Sequence, residues 1–369
     1  MKIDSVELLE LRVPLISSFE TSGWSEEVKT CIIVRLESGS LSGFGECAVT
    51  EGPWYGYETV RTAWHVMEDF IRPRVLGKRF EKAGDLLGSL SRIRGHNMAK
   101  ASFEMAFWDL AAKQANVSLS KMLGGTASTV VSGVSVGIQK SVEKLVDVVS
   151  GFFDCGYRRV KVKIKPGMDV GLVAALREEF PDEPLMVDAN GAYGAGDVEM
   201  FVELDLFGLL MIEQPFAWDD LVDHALLQRR IQTPVCLDES VSGLSDLRSA
   251  LELGSCRVLN IKPGRVGGLS VGRLLHDVCQ ERGVGVWCGG LLETGVGRAA
   301  NVALASLPGF VLPNDISASD RFFREDIVEP RFVLNGDGTL DVPSGPGIGV
   351  RVLEERLDKF AVERKRFKA

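Results

Sequence analysis

Four short apolar runs, each closed by a charged residue, recur at nearly even spacing through the middle of the chain. Asp188, Glu213 and Asp238 close three of them at intervals of 25 residues, and Lys262 closes the next one 24 residues later. One strand with its crossover helix takes a comparable length of chain. Because the carboxyl ends of parallel strands meet at one rim of a closed barrel, the spacing predicts three acids and a lysine around one mouth.

Strand and helix patterns alternate across the whole region that contains these runs. The strand candidates are Val130–Ile138, Arg158–Ile164, Leu185–Asp188, Gly208–Glu213, Val235–Asp238, Arg257–Lys262, Val284–Cys288 and Phe310–Pro313. Their number is the one that an α/β fold of the (β/α)8 type, a TIM-like barrel, requires. We therefore predict a closed parallel sheet surrounded by helices.

The segments on either side of this region have a different pattern. Residues 3–13, 30–36 and 41–46 alternate or run apolar like antiparallel strands, and residues 58–122 have a helical period. After Ser319 the periodicity fades into Gly- and Pro-rich sequence. The expected division is an N-terminal α+β capping domain over residues 1–126, a (β/α) barrel domain over 127–320, and a C-terminal segment over 321–369 that returns to the capping domain.

The composition narrows the class of partner. A formal net charge of −9 argues against nucleic acid and anionic membrane surfaces as partners. The seven cysteines are odd in number and form no CxxC pair, which is typical of reduced thiols in a cytosolic protein. The N-terminus lacks the apolar stretch of a signal peptide, and no apolar run is long enough to span a bilayer. We expect a cytoplasmic protein that acts on a small molecule.

The three rim acids supply only oxygen ligands. No His or Cys closes a neighbouring strand, so the set does not resemble a zinc site, and oxygen ligands with open positions suit Mg²⁺, or Mn²⁺ in its place. The alternative is that each acid caps the helix that follows it. Three evenly spaced acids, all at strand ends, favour the metal over the caps.

Two lysines lie two residues apart on one barrel strand and share a face. Val160, Val162 and Ile164 alternate with Lys161 and Lys163, and the apolar face must meet the helices, so both lysines point inward near the mouth. An exposed basic stripe is the alternative reading of this lysine run. Partial burial and neighbouring positive charge lower a lysine pKa, which makes a general base available.

A further lysine, Lys262, closes a strand on the other side of the predicted barrel. Judged alone, it is also compatible with a surface lysine after a strand. Two lysines that face each other beside a divalent cation indicate proton transfer next to a carboxylate, with the metal neutralising the enediolate that forms.

Two aromatic segments interrupt the N-terminal strands, at Ser17–Trp24 and Thr50–Tyr57. Phe19 and Tyr55 are among their rings. One interpretation is a lid that contacts an apolar substrate and excludes water. The other is ordinary packing of loop side chains onto the nearest core.

The charged runs, taken together with their neighbours, resemble the enolase superfamily and within it the muconate-lactonizing subgroup. The motifs are Lys161-Val162-Lys163, Asp188-Ala189-Asn190, Ile212-Glu213-Gln214-Pro215, Leu237-Asp238-Glu239-Ser240 and Asn260-Ile261-Lys262-Pro263-Gly264-Arg265-Val266-Gly267-Gly268. A closer similarity, to the o-succinylbenzoate synthase / N-succinylamino acid (N-acylamino acid) racemase family, lies in Trp287-Cys288-Gly289-Gly290, Glu293-Thr294-Gly295, Arg298-Ala299-Ala300-Asn301 and Ser317-Ala318-Ser319-Asp320-Arg321.

This resemblance implies roles for the lysines and the acids. Asp188, Glu213 and Asp238 would bind Mg²⁺. Lys163 would remove the α-proton, and Lys161 would hold the substrate carboxylate and tune Lys163. Lys262 would be the opposing acid and base in racemisation, and in dehydration it would stabilise the enolate electrostatically.

The resemblance also implies supporting residues and an assembly. Asn190 and Glu239 would support the metal site, with Asn190 on the substrate side, and Ser135 would contact the substrate. Arg265 is similar to an arginine of members that also racemise, and this similarity favours both activities. The family implies a homo-oligomer, either a dimer or an octamer.

The activity implied is the Mg²⁺-dependent syn-dehydration of 2-succinyl-6-hydroxy-2,4-cyclohexadiene-1-carboxylate in menaquinone biosynthesis, together with racemisation of N-succinylamino acids. Dipeptide epimerases have a second acid at the position of Ser317, so a free α-amino group lacks a partner here. A muconate cycloisomerase or another enzyme of the subgroup is the alternative within this class. A non-catalytic metal-binding barrel is the alternative outside it.

Overall fold

The computed structural model describes all residues, 1–369. Its strands are β1 (Ser5–Glu20), β2 (Ser25–Ser38), β3 (Leu41–Cys47), β4 (Thr129–Val131), β5 (Val134–Val136), β6 (Val160–Lys163), β7 (Leu185–Asp188), β8 (Ile212–Glu213), β9 (Val235–Leu237), β10 (Val258–Ile261), β11 (Gly285–Cys288), β12 (Val328–Glu329), β13 (Thr339–Asp341), β14 (Arg351–Val352) and β15 (Ala361–Lys368).

Most of the helices follow the strands that they cover. They are α1 (Val60–Val66), α2 (Arg72–Val75), α3 (Ala83–Ser89), α4 (Asn97–Gln114), α5 (Leu119–Leu123), α6 (Val142–Asp154), α7 (Val170–Glu179), α8 (Val198–Leu204), α9 (Val222–Arg230), α10 (Leu244–Leu253), α11 (Pro263–Val266), α12 (Leu269–Arg282), α13 (Gly295–Ala305) and α14 (Glu354–Phe360). A π-helical turn (Met67–Ile71) joins α1 to α2, and 3₁₀ turns cover Ala195–Asp197, Asp205–Phe207 and Ser319–Arg321. None of these helices combines the length and the apolar character that crossing a membrane requires.

The N-terminal sheet has four antiparallel strands in the order β15-β1-β2-β3, and the long helix α4 packs across it. Gly43 and Gly45 on β3 permit this close packing, since a Cβ at either position would overlap the backbone oxygen of Ala106 or Ser102. The hairpin of β1 and β2 is longer than the sequence indicates. Ser17–Trp24, expected to be a loop, is strand up to Glu20, because pairing with β2 resumes at Phe19 and Glu20 after an irregularity that begins at Pro14.

Seven parallel strands form the curved sheet of the barrel in the order β11-β10-β9-β8-β7-β6-β5. Residues that point outward pack against the helices in the largest apolar cluster. The floor of the interior is a small apolar layer of Met186, Met211, Cys236, Val258 and Trp287. Charged side chains sit above this floor, toward the carboxyl ends of the strands, which confirms the predicted (β/α) barrel with its polar mouth.

The predicted eighth strand, Phe310–Pro313, is wrong. The chain closes the gap between β11 and β5 irregularly, because Pro313 has no N–H to offer a ladder. Asn314 forms a single parallel bridge to Ser132, and the N–H of Asp315 donates to the oxygen of Cys288 at 2.8 Å. The predicted strand over residues 130–138 is also divided, since β4 leaves the barrel to pair with β13.

The C-terminal segment lies against both parts of the molecule. Its last strand, β15, pairs with β1 from Ser5↔Lys368 to Leu11↔Ala361. Its strand β13 pairs with β4 beside the barrel. The first and last stretches of the chain therefore share one sheet.

Candidate active site

The inward lysines lie on β6, and both are buried. Lys163 Nζ donates to Asp188 Oδ2 at 2.6 Å and to Asn190 Oδ1 at 2.8 Å. Val160 and Val162, which alternate with the lysines, belong to the cluster under the helices. The inward orientation predicted from this alternation is what the structure has, and the exposed-stripe alternative is wrong.

Lys161 lies deeper on the same strand and contacts three carboxyl groups. Its Nζ lies 2.9 Å from Glu213 Oε2, 3.2 Å from Asp188 Oδ2 and 3.0 Å from Asp315 Oδ2. Burial alone would lower the pKa of Lys161, but the three acids outweigh it and raise that pKa well above its usual value. Lys161 is therefore a fixed positive charge.

The three rim acids lie on adjacent strands, and the register places Asp188 beside Glu213. Burial would raise the pKa of Asp188, but its ion pairs with Lys163 and Lys161 hold it below the usual value. Burial and the neighbouring charge of Asp188 raise the pKa of Glu213 to about 7. The structure has no group of three or more Asp, Glu, His or Cys side chains arranged to hold a metal ion. Each of the three rim carboxylates instead accepts a hydrogen bond from a lysine ammonium group. The metal site stays a prediction.

Asp238 is the centre of a second charged group. Lys262 Nζ donates to Asp238 Oδ2 at 2.6 Å, and Arg265 donates to Asp238 Oδ1. The hydroxyl of Tyr55, from the capping domain, donates to the same Oδ1 at 2.9 Å, and its ring lies 4.5 Å from Lys262 Nζ. Burial would lower the pKa of Lys262, but the charge of Asp238 raises it above the usual value.

Several buried polar atoms at the mouth have no protein partner. They are the hydroxyl of Ser135, Oε2 of Glu239 and Oδ1 of Asn260. Burial and the charges of Asp238 and Asp188 raise the pKa of Glu239 to about 8. Its other oxygen accepts from Asn190 Nδ2 at 3.2 Å. Unpaired oxygens in a buried mouth are costly unless a ligand satisfies them.

One cavity opens above these groups, between the capping domain and the barrel. Seven of the predicted site residues line it: Phe19, Tyr55, Ser135, Lys161, Lys163, Asn190 and Lys262. Asp188, Glu213 and Asp238 lie behind the lysines, and Arg265 and Glu239 line an adjoining cavity. Both aromatic segments predicted as a lid contribute to the wall, while Trp54 and Tyr57 are exposed. No histidine lines the cavity.

The residues that surround Lys161 and Glu213 were not among those predicted from the sequence. Asp315 pairs with Lys161 and, at 3.7 Å, with the fully buried Arg159, whose guanidinium stacks on Trp287 at 5.0 Å. Asn260 donates to Glu213 Oε1 at 2.7 Å. The sequence position of Asp315 could have identified it, because it follows the eighth strand position as the rim acids follow their strands.

Comparison with known proteins assigns the chain to a family. Residues 5–124 match the family described as mandelate racemase / muconate lactonizing enzyme, N-terminal domain, and residues 144–356 match the one described as enolase C-terminal domain-like. The chain belongs to the enolase superfamily. The resemblance seen in the sequence motifs is thus confirmed.

Individual relatives of this enolase-superfamily enzyme span almost its whole length. An o-succinylbenzoate synthase from Geobacillus stearothermophilus is 47% identical over 361 residues, 98% of this chain and 96% of the relative. An N-succinylamino acid racemase from Amycolatopsis sp is 47% identical over 360 residues, 97% of each. A crystal structure of an enolase-superfamily member from Listeria innocua matches with a TM-score of 0.96 at 41% identity, covering 100% of this chain and 99% of that one. Muconate cycloisomerase 1 from Rhodococcus opacus is only 26% identical.

Proposed function

We propose that this enzyme is an o-succinylbenzoate synthase that also racemises N-succinylamino acids. The relatives with these two names are 47% identical to it over nearly the full chain, which supports both activities. The muconate cycloisomerase alternative rests on a relative at 26% identity. The two proposed reactions have the same first step, removal of a proton next to a carboxylate.

The observation that carries the proposal is that two lysine amino groups lie on opposite walls of one cavity. Lys163 ends β6 and Lys262 follows β10, four strands further around a barrel of eight positions. Both line the cavity, and each is bonded to a different acid. A carbon held between them has a proton donor or acceptor on each face.

In the dehydration, Lys163 takes the proton from the carbon next to the carboxylate. The C–H electron pair moves into that carboxylate to form an enediolate, and Lys161 contributes fixed positive charge beside it. The pair then returns to expel the neighbouring hydroxyl, which leaves as water with the proton carried by Lys163. The ring becomes aromatic, and o-succinylbenzoate is the product.

In the racemisation, one lysine removes the α-proton and the other returns a proton to the opposite face. Lys262 is the second acid and base in this reaction, whereas in dehydration it only stabilises negative charge. Arg265, paired with the same carboxylate as Lys262, supports the second activity by fixing Asp238 from the other side.

We also propose that Asp188, Glu213 and Asp238 hold Mg²⁺, or Mn²⁺ in its place. Three buried carboxylates on adjacent strands are the donors that such a cation prefers. The buried oxygens of Glu239 and Asn260 that accept no hydrogen bond support the proposal, because a cation would satisfy them. When bound, the cation neutralises the charge of the enediolate. Asn190 and Ser135 would contact the substrate, and their position in the wall of the cavity supports this assignment.

The same family likeness supports further proposals about the whole protein. We infer a cytoplasmic homo-oligomer, a dimer or an octamer, that takes a small carboxylate substrate. We retain the domain division at 126 and 320, with the C-terminal segment joined to the capping domain; the pairing of β15 with β1 supports it.

A direct assay tests the proposal. The purified protein with Mg²⁺ is given 2-succinyl-6-hydroxy-2,4-cyclohexadiene-1-carboxylate, an N-succinylamino acid and muconate in parallel. We expect o-succinylbenzoate from the first and loss of optical activity from the second. If only muconolactone forms, the alternative is correct. If no substrate exchanges its α-proton in D₂O, the barrel is a non-catalytic metal-binding protein.

A further inference from the structure

A buried glutamate of the capping domain bonds to the barrel seven residues after Lys262. Glu104 lies in the middle of α4 and is 0% exposed. Its Oε2 accepts from the N–H of Leu269 at 2.8 Å, and its Oε1 accepts from the N–H of Ser270 at 2.9 Å. Trp108 Nε1 donates to the same Oε1 at 2.8 Å. The carboxylate therefore holds the start of the barrel helix α12 from another domain.

The Glu104 carboxylate lies in close contact with the backbone of Gly268, the residue before α12. Gly268 has a φ of 131°, and a Cβ at this position would lie 2.5 Å from Glu104 Oε2. Only glycine both adopts this backbone conformation readily and leaves room for the carboxylate. The glycine at 268 is thus explained by the approach of Glu104.

A short rigid turn connects this contact to the lysine. The N–H of Gly268 donates to the oxygen of Pro263 at 2.8 Å, and Pro263 directly follows Lys262. From the other side of the turn, the side-chain amide of Asn97 donates to the oxygen of Arg265 at 3.0 Å. Asn97 and Glu104 stand on the same helix, so α4 holds the Lys262–Leu269 segment at two points.

Resting on the proposed two-lysine chemistry, we infer that Glu104 is a positioning residue that aims Lys262, and not Lys163, at the reacting carbon. Lys163 is on the far wall of the barrel, and α4 makes no hydrogen bond to its strand. The capping domain thereby acts on one face of the substrate selectively. A purely structural role would affect both lysines alike.

The test compares E104Q with D109N. Glutamine fills the same volume but places an N–H₂ donor against the N–H groups of Leu269 or of Ser270 and Trp108, which forces the turn away. Asp109 is an equally buried acid on the same helix, but it accepts from Phe44, Ile348 and Lys113, none of which belongs to the barrel mouth. D109N therefore controls for loss of a buried charge on α4.

The first readout is α-proton exchange in D₂O for each enantiomer of an N-succinylamino acid, with K262A identifying the enantiomer that depends on Lys262. In E104Q the exchange of that enantiomer falls roughly tenfold relative to the other, because a small misplacement of a catalytic group is costly. In D109N the ratio stays at the wild-type value. N97A, which loosens the other end of the turn, changes the ratio in the same direction as E104Q.

The second readout needs no activity. Reductive methylation of the folded proteins, read by mass spectrometry, gives the labelling of Lys262 relative to Lys163, and this ratio rises in E104Q because the pair with Asp238 loosens. If both ratios are unchanged in E104Q, or change equally in D109N, the inference is overturned. If the wild type exchanges neither enantiomer, the proposed function fails, and the labelling ratio alone decides the role of Glu104.

Discussion

Glu46 links the capping sheet to the barrel and provides a quantitative prediction about stability. It lies on β3 and is 1% exposed. Its carboxylate accepts from the hydroxyl of Thr294 at 2.6 Å and from the N–H groups of Thr294 at 3.1 Å and Gly297 at 2.9 Å, at the start of α13. Burial, which outweighs the attraction of Lys29, raises the pKa of Glu46 to about 7 from the usual 4.5.

The sign of the effect follows from the raised pKa. The folded protein binds a proton at Glu46 more tightly than the unfolded chain does, so this group costs no stability below pH 4.5 and destabilises the fold progressively as the pH rises to 7. A difference of this size corresponds to about 3 kcal/mol of unfolding free energy above pH 7. E46Q stays neutral at every pH and avoids this cost.

Equilibrium urea unfolding of the wild type and E46Q at pH 5 and pH 8 measures the effect. Subtracting the wild type from E46Q at each pH removes the contributions of other titrating groups. The difference shifts in favour of E46Q by about 2.5 kcal/mol from pH 5 to pH 8, since a small part of the cost is already present at pH 5. A difference that is the same at both pH values would refute the reasoning, as would one that shifts against E46Q.

Four further predictions concern the site and the fold. K163A abolishes both reactions. K262A slows racemisation by about 10²–10⁴-fold but leaves measurable dehydration, because only racemisation needs a second proton carrier. Steady-state assays of both reactions on each variant measure this difference. Chelation with EDTA removes both activities and added Mg²⁺ restores them, while failure of Mg²⁺ and Mn²⁺ to restore either would contradict the proposed ligands. D315N loosens Lys161 and raises KM for the carboxylate substrate, and an unchanged KM would show that Asp315 is dispensable. G45A destabilises the protein by about 1–3 kcal/mol in urea, since its Cβ overlaps the backbone of α4. G23A is the control, because a Cβ at Gly23 meets nothing within 4 Å and Gly23, like Gly45, lies outside the left-handed region.

The sequence alone was sufficient to place the charged residues of the mouth. The carboxyl ends of parallel strands must meet at one rim, and side chains alternate along a strand, so Lys161, Lys163, Asp188, Glu213 and Asp238 had to converge once the barrel was recognised. These are local properties of spacing and period, which do not depend on distant parts of the chain.

Only the tertiary structure decided which partner each charge takes and how the barrel closes. Asp315 bonds to Lys161, and Glu104 bonds to Leu269, across 154 and 165 positions of the chain. The division of the strand at 130–138 depends on β13, more than two hundred residues later. Such contacts result from the packing of whole elements against one another, and no local pattern of polar and apolar residues encodes them.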